Sequence, residues 1–214
     1  MLEKDLLIFD LDGTLIDSSA DIAAAANRTI ESMGYARRAV DEIKADIGWG
    51  VKTLLERLMP NEPPDRIEAG RRMFLDFYGA HLVVDTYVYP GVQDTLEHFK
   101  RLGKKMAVVT NKPVKLSERV LTRFALRDYF LTVIGGDSFA NRKPHPEPVE
   151  AALKAAGASS HEAVLIGDSP IDCEAGAAAL VSTIGVSYGF RAKDELNGCI
   201  VVIDGFDELK NIVR

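Results

Sequence analysis

The sequence has few cysteines and no long apolar run, and each shortage excludes a class of protein. Cys173 and Cys199 are the only cysteines among 214 residues, and no CxxC pattern is present. Two isolated cysteines do not form the framework of a disulfide-rich secreted domain, so we expect free thiols in a reducing compartment. No stretch reaches the roughly 18 apolar residues of a membrane span, and the N-terminus lacks the features of a secretory signal. We therefore expect a soluble, cytoplasmic protein.

Basic residues are also in the minority. Lysine and arginine number 26 against 32 aspartates and glutamates, which gives a formal net charge of −6. An acidic chain is a poor match for nucleic acid or an anionic membrane, so we expect neither as a partner. A small anionic ligand is still compatible with this charge, because a few placed donors can bind it locally.

Apolar residues are plentiful, at 47% of the chain, and occur in short runs bounded by turn residues. Six such runs are typical of strands buried on both faces of a parallel sheet. They are LLIF at 6–9, MAVVT at 106–110, LTVIGG from 131, AVLIG from 163, STIGV from 182 and CIVVI from 199. Amphipathic stretches at 91–103, 113–126 and 144–157 lie between them and predict helices. This alternation predicts an α/β fold with a doubly wound, Rossmann-like parallel sheet.

One segment, from about Ser18 to Asp85, interrupts the alternation with several helical patterns and no convincing strand. We expect an α/β core of residues 1–16 and 88–214, with a helical cap of residues 17–87 inserted after the first strand. Within the cap, Trp49 stands between two glycines directly before a helix that contains Lys52. Free amides at a helix start can receive an anion, so Trp49 and Lys52 are candidate substrate-binding residues. Alternatively, this loop is a hinge between two helices and Trp49 fills the core of the cap.

Polar side chains follow four of the predicted strands. They are Asp10 and Asp12 after the first run, Thr110 and Asn111 after the second, Lys143 after the third, and Asp168 and Asp172 after the fourth. In an open α/β sheet, ligands bind beyond the carboxyl ends of the strands. Asp10 and Asp12 point the same way if the chain is extended, and Asp168 and Asp172 share a face if a helix begins there. We therefore expect these residues to converge on one ligand.

Several carboxylates in one place repel one another unless a cation lies among them. A few oxygen ligands suit Mg²⁺, which keeps several waters and often shares its shell with a phosphate. The pattern therefore favours phosphoryl transfer, which needs a positioned nucleophile and charge neutralisation. Taken singly, each acid could instead cap a helix or lie in a solvated turn. A calcium loop is excluded, because its sixth position requires glycine and here is Leu15.

The motifs DLDGT, VVTNK, RKPHP and GDSPID together resemble the four motifs of the haloacid dehalogenase superfamily, and the likeness covers nearly the whole chain. Stretches such as YPGV, VIGGD and GVSYG extend the resemblance toward phosphoglycolate phosphatases. The resemblance implies that Asp10 is the nucleophile, that Asp12 is the general acid and base, and that Lys143 neutralises charge. It further implies that Thr110 donates to the phosphoryl group and that Asn111 supports the site.

The same resemblance implies a Mg²⁺ site and a role for one glycine. Asp10, the Asp12 carbonyl and Asp168 would bind the ion, with Asp172 binding directly or orienting waters. Gly13 would let the backbone amides approach the phosphate.

The expected activity is therefore Mg²⁺-dependent hydrolysis of a small phosphate monoester, with 2-phosphoglycolate as the expected substrate, by a monomer or a homodimer. One alternative is a sugar-phosphate mutase resembling β-phosphoglucomutase, and another is a phosphatase for a different small ester. A non-catalytic sensor would lack one of the acid, lysine or threonine positions, all of which are present here.

Overall fold

The apolar runs of the sequence form the strands of one parallel sheet. The structure is a computed structural model that describes residues 1–214. Its strands are β1 (Leu6–Phe9), β2 (Ile16–Asp17), β3 (Tyr87–Val88), β4 (Lys105–Val109), β5 (Thr132–Ile134), β6 (Ala163–Gly167), β7 (Ser182–Val186) and β8 (Val201–Ile203). Six of them form a sheet in the order β5-β4-β1-β6-β7-β8 with every pairing parallel. The predicted α/β fold with a doubly wound parallel sheet is confirmed.

The helices connect these strands and cover both faces of the sheet. They are α1 (Ser19–Ser32), α2 (Val40–Lys44), α3 (Val51–Leu58), α4 (Pro64–Ala80), α5 (Val92–Arg101), α6 (Val114–Arg123), α7 (Glu147–Ala156), α8 (Pro170–Ala178) and α9 (Leu209–Ile212). Helix α7 ends where the sequence indicates, because Gly157 adopts a left-handed conformation with φ of 62° that stops the helix. None of the helices is both long and apolar enough to cross a bilayer.

Alternate residues of β1 face two separate hydrophobic layers. Leu7 and Phe9 belong to the larger cluster, while Leu6 and Ile8 belong to a smaller cluster on the other face of the sheet. The larger cluster continues into α1, α3 and α4, where it includes buried residues such as Phe74. The helices inserted after β1 therefore share apolar packing with the sheet.

A short antiparallel pair joins the two ends of the inserted segment. Strand β2 pairs with β3, and Ile16 lies opposite Val88. Next to this pair, the Asp21 carboxylate accepts hydrogen bonds from the backbone amides of residues 84, 85 and 86 and from the Thr86 hydroxyl. Helices α1 to α4 lie between β2 and β3 in the chain. One charged side chain thus fixes the backbone at the return from the segment 17–87, which we call the cap.

The expectation of two free thiols is wrong. Cys173 in α8 and Cys199 before β8 form a disulfide, with their Cα atoms 5.6 Å apart. The two cysteines are 26 positions apart in the chain, and the sheet order brings them together because β6 and β8 both neighbour β7. The cysteines therefore give no support to the predicted reducing compartment.

Candidate active site

The candidate site lies at the carboxyl end of β1, where the order of the sheet reverses. Strand β1 is in the middle of the sheet, with β4 on one side and β6 on the other. Such a switch point leaves a crevice beyond the strand ends in which ligands bind. Asp10 follows β1 directly and Asp12 comes two residues later, and the two are 7% and 9% exposed. These buried carboxylates therefore face the crevice instead of bulk solvent.

Gly13 allows the chain to turn tightly beside a third acid. Its φ of 89° lies in the left-handed region. A Cβ atom at this position would overlap the carboxylate of Asp168. Only glycine combines this backbone conformation with so close an approach. The loop after β1 and the loop after β6 can thus meet at one point.

Three buried carboxylates converge there. Asp10, Asp168 and Asp172 each offer an oxygen, and these oxygens lie within 4.8 Å of one another. Burial raises the pKa of Asp10 to about 6, against the lowering effect of a nearby lysine. Burial and the charges of Asp10 and Asp172 raise the pKa of Asp168 well above its ordinary value. The cluster therefore carries more negative charge than the protein around it neutralises.

Lys143 is the cation inside this cluster. Its ammonium nitrogen lies 3.0 Å from Asp10 Oδ1 and donates to Asp172 Oδ1 over 2.6 Å, and the residue is 2% exposed. Burial alone would lower the pKa of Lys143, but Asp10 and Asp172 outweigh burial and raise it. Lys143 is therefore charged at neutral pH.

The oxygens that stay without a hydrogen-bond donor fit a hard cation. Asp10 Oδ1 is buried and receives no aligned hydrogen bond, although Lys143 is close to it. Asp168 accepts a hydrogen bond from the Phe190 amide through Oδ2 alone. Both oxygens of Asp172 are occupied, one by Lys143 and one by Ser169. This donor set suits Mg²⁺, and Asp10 and Asp168 have more free oxygen capacity than Asp172.

Thr110 and Asn111 lie at the end of β4 beside Asp10 and Asp12, and all four line the same cavity. The Asn111 amide donates to the Lys143 carbonyl over 2.8 Å and to the Gly48 carbonyl of the cap over 2.9 Å. Asn111 therefore ties the loop that carries Lys143 to the cap.

The cavity above these residues is small, at about 50 Å³. Lys112 and Pro113 of the core also line it, and the rest of its wall comes from the cap, which contributes mainly apolar residues, the start of α3 and Asp46. Asp46 pairs with Arg57 over 2.7 Å, so its charge is partly offset. A cavity of this size admits only a small ligand.

The two cap residues with predicted substrate contacts lie outside this cavity. Lys52 points to solvent with its side chain 58% exposed, and its nearest acid is Glu56 at 3.7 Å. The guanidinium of Arg57 lies over the Trp49 ring, 5.2 Å from its centre, and Trp49 lines a separate surface cleft. The glycines beside Trp49 reach the cavity and its own side chain does not. The loop therefore borders the cavity through its glycines, while the side chains of Trp49 and Lys52 point elsewhere.

Lys112 is a residue that the sequence reasoning missed. Its ammonium nitrogen lies 2.9 and 3.0 Å from the two oxygens of Asp12 and also contacts the hydroxyl of Tyr78 in α4. Ser18 donates to Asp12 Oδ1 over 2.5 Å. The position of Lys112 directly after Thr110 and Asn111 is the one signal that could have marked it, whereas nothing in the sequence marks Tyr78.

Comparison with known proteins shows which family the chain resembles. The sequence model of the haloacid dehalogenase-like hydrolase family matches residues 7–186. A phosphoglycolate phosphatase from Colwellia psychrerythraea is 35% identical, over 97% of this chain and 96% of the relative. One from Aquifex aeolicus is 38% identical, over 86% of this chain and 85% of the relative. The crystal structure of a predicted phosphoglycolate phosphatase from Haemophilus somnus superposes with a TM-score of 0.93 at 29% identity, covering 99% of both chains.

The chain belongs to the haloacid dehalogenase-like hydrolase family. Within that family, its similarity to curated phosphoglycolate phosphatases shows that the chain is a phosphatase, that is, a phosphoric monoester hydrolase. Its resemblance to phosphoglycolate phosphatases, expected from the sequence motifs, is confirmed.

Proposed function

We propose that the protein is a Mg²⁺-dependent phosphatase that hydrolyses a small phosphate monoester through an aspartyl-phosphate, with 2-phosphoglycolate as its substrate. The observation that carries the proposal is the position of Lys143, 3.0 Å from Asp10 and hydrogen-bonded to Asp172 in the acidic cluster. A lysine placed there can draw a phosphate toward a carboxylate that would otherwise repel it.

Two chemical steps follow from this arrangement. In the first, an Asp10 oxygen forms a bond to phosphorus while the bond to the leaving oxygen breaks, and Asp12 gives its proton to that oxygen. In the second, water attacks phosphorus and gives a proton to Asp12, and the bond between Asp10 and phosphorus breaks. Phosphate leaves and both aspartates return to their starting state. Asp10 needs no separate base, because a carboxylate is a nucleophile once ionised and Lys143, 3.0 Å away, favours its charged form.

The metal requirement is argued from the same carboxylates. Asp10, Asp168 and the Asp12 carbonyl would hold Mg²⁺, and Asp172 would act through Lys143 and through water. The ion, when bound, supplies charge neutralisation to the transferring phosphoryl group. Thr110 would donate to the phosphoryl oxygens, and Gly13 would let backbone amides reach them.

The substrate is proposed from the cavity and from the relatives. A volume of about 50 Å³ favours a short ester. The start of α3, in the cavity wall, offers backbone amides to a small carboxylate such as that of 2-phosphoglycolate. We further propose that residues 1–16 and 88–214 form the catalytic core and that residues 17–87 close over it as a cap.

A phosphate-release screen over small phosphomonoesters, with and without Mg²⁺, tests the proposal. We expect the highest kcat/KM for 2-phosphoglycolate and no turnover after chelation of the metal. Asp10→Asn should leave a folded protein with turnover near background, whereas Asp5→Asn, at an exposed acid far from the site, should change nothing. Normal turnover by Asp10→Asn would show that the nucleophile is another residue. Isomerisation of a hexose phosphate without phosphate release would instead identify a mutase.

A further inference from the structure

We propose that Lys112 and Tyr78 form a positioning pair that fixes the carboxylate of Asp12 for its proton transfers. The inference rests on the proposed function, because it assigns a role to Asp12 as acid and base. It adds Lys112, which lines the cavity beside Asp12, and Tyr78, whose contact with Lys112 joins the cap to the proton-transfer group.

Both oxygens of Asp12 are held from one side by a single cation. Lys112 Nζ lies 2.9 Å from Oδ1 and 3.0 Å from Oδ2, so the plane of the carboxylate is set. The Lys112 side chain is 3% exposed, and water therefore cannot easily take the place of either partner. Proton transfer needs a carboxylate held within hydrogen-bond reach of the leaving oxygen, and small displacements are costly.

Charge neutralisation of the cluster does not explain Lys112. Lys143 already pairs with Asp10 and Asp172, whereas the carboxylate partner of Lys112 is Asp12 alone. A buried ion pair contributes little net stability, because removing both charges from water costs about as much as their attraction returns. The position of Lys112 is therefore better explained by what it does to Asp12 than by the stability of the fold.

Tyr78 connects this ion pair to the cap. It is 2% exposed in α4, its hydroxyl accepts a hydrogen bond from Lys112 Nζ over 2.5 Å, and the ammonium lies 4.5 Å from the centre of its ring. Burial raises the pKa of Tyr78 to about 12, so the side chain stays neutral and orients Lys112 without competing for its charge. Through these contacts, the placement of Asp12 depends on α4 being docked on the core.

The test compares two esters that differ mainly in how strongly the leaving oxygen needs a proton. Ethyl phosphate releases a strongly basic alkoxide and needs the acid, whereas trifluoroethyl phosphate releases a weaker base of similar size and needs it less. The kinetic constant kcat/KM reports on the steps up to formation of the aspartyl-phosphate, in which Asp12 gives its proton to the leaving oxygen. For Lys112→Met we expect a loss of about 100-fold with ethyl phosphate and less than about tenfold with trifluoroethyl phosphate. Tyr78→Phe should show the same order with smaller losses.

Matched controls separate positioning from general damage. Lys4→Met removes another buried lysine, which donates to the His161 carbonyl, and Tyr35→Phe removes another cap hydroxyl, which donates to Glu62. Both should leave the two kcat/KM values unchanged. If Lys112→Met does not fold, Tyr78→Phe carries the test, because it keeps the pair between Lys112 and Asp12.

A double-mutant cycle can be measured with any ester that the wild-type protein hydrolyses. On an Asp12→Asn background, Lys112→Met or Tyr78→Phe should cause no further loss beyond about twofold. The inference would be overturned if Lys112→Met lost kcat/KM equally for both esters, or if its loss added fully to that of Asp12→Asn. The proposed function would still stand in that case, provided that the wild-type protein hydrolyses the ester. A wild-type protein that releases phosphate from no ester would overturn both.

Discussion

Replacing Arg191 should weaken the closed position of the cap. Arg191 lies in the core after β7 and is 8% exposed. Its guanidinium donates to the Lys44 carbonyl over 3.1 Å and to the Ile47 carbonyl over 2.5 Å, and Ile47 forms part of the cavity wall. Together with the bond from Asn111 to Gly48, these contacts hold one loop of the cap on the core.

The magnitude follows from the number and type of these bonds. A hydrogen bond from a charged donor contributes about 1.5–3 kcal/mol net of the bonds to water that it replaces. Both bonds come from one guanidinium and are not independent, so we take about 1.5–3 kcal/mol for the pair. Because about 1.4 kcal/mol corresponds to a factor of ten, closure should weaken by about 10- to 100-fold. If only the closed state binds tightly and the free protein is mostly open, the apparent affinity for substrate falls by the same factor.

Steady-state phosphate release measures this effect. Arg191→Met should raise KM by about 10- to 100-fold and change kcat less, since the acids and Lys143 keep their places. Arg191→Lys should have an intermediate effect, because an ammonium cannot reproduce the planar fork that serves two carbonyls. Arg127→Met is the control, since Arg127 also donates to a carbonyl, that of Phe130, but within the core. An unchanged KM in Arg191→Met, with the protein folded, would refute the reasoning.

Two further predictions concern the metal and the return from the cap. Asp168→Asn should raise the Mg²⁺ concentration for half-maximal turnover by at least about 10- to 100-fold, the loss typical even of an outer-shell partner. Metal titration measures it, and an unchanged requirement would remove Asp168 from the metal site. Burial pushes the pKa of Asp21 upward, but hydrogen bonds from Thr86 and the amides of residues 84–86 outweigh it, so the pKa is lowered in the folded protein. The stability from Asp21 is then present at neutral pH and is lost as the pH falls below about 4. Asp21→Asn should therefore reduce the unfolding free energy by about 1.5–3 kcal/mol at pH 7. In denaturant titrations, the difference from wild type should shrink below about pH 4. A difference that stays constant down to pH 3 would contradict this account.

The acidic end of the site could be predicted because it depends on topology alone. Once the apolar runs are accepted as parallel strands, Asp10 and Asp168 must follow neighbouring strand ends. Lys143 follows the same logic from the loop after β5. No knowledge of side-chain packing is needed for these residues, since the sheet itself carries them to one edge.

Contacts between the cap and the core could not be predicted in this way. Lys112 meets Tyr78 and Arg191 meets Ile47 across separations of 34 and 144 residues, and neither pair shares an element or a sheet. Such contacts depend on how the helices dock, which hydrophobic periodicity does not specify. The pairing of Cys173 with Cys199 was missed for a related reason, because their proximity follows from the order of β6, β7 and β8.

The pairing of Ile16 with Val88 places the entry and exit of the cap side by side. We therefore expect that the whole cap can be replaced at two neighbouring junctions without moving β1, the strand that precedes Asp10. We therefore expect the choice of ester to follow the cap and the phosphoryl chemistry to follow the core, provided that the new cap supplies a hydroxyl to Lys112 where Tyr78 now does. A chimera that keeps residues 1–16 and 88–214 and takes such a cap from a relative should show the relative's choice of ester.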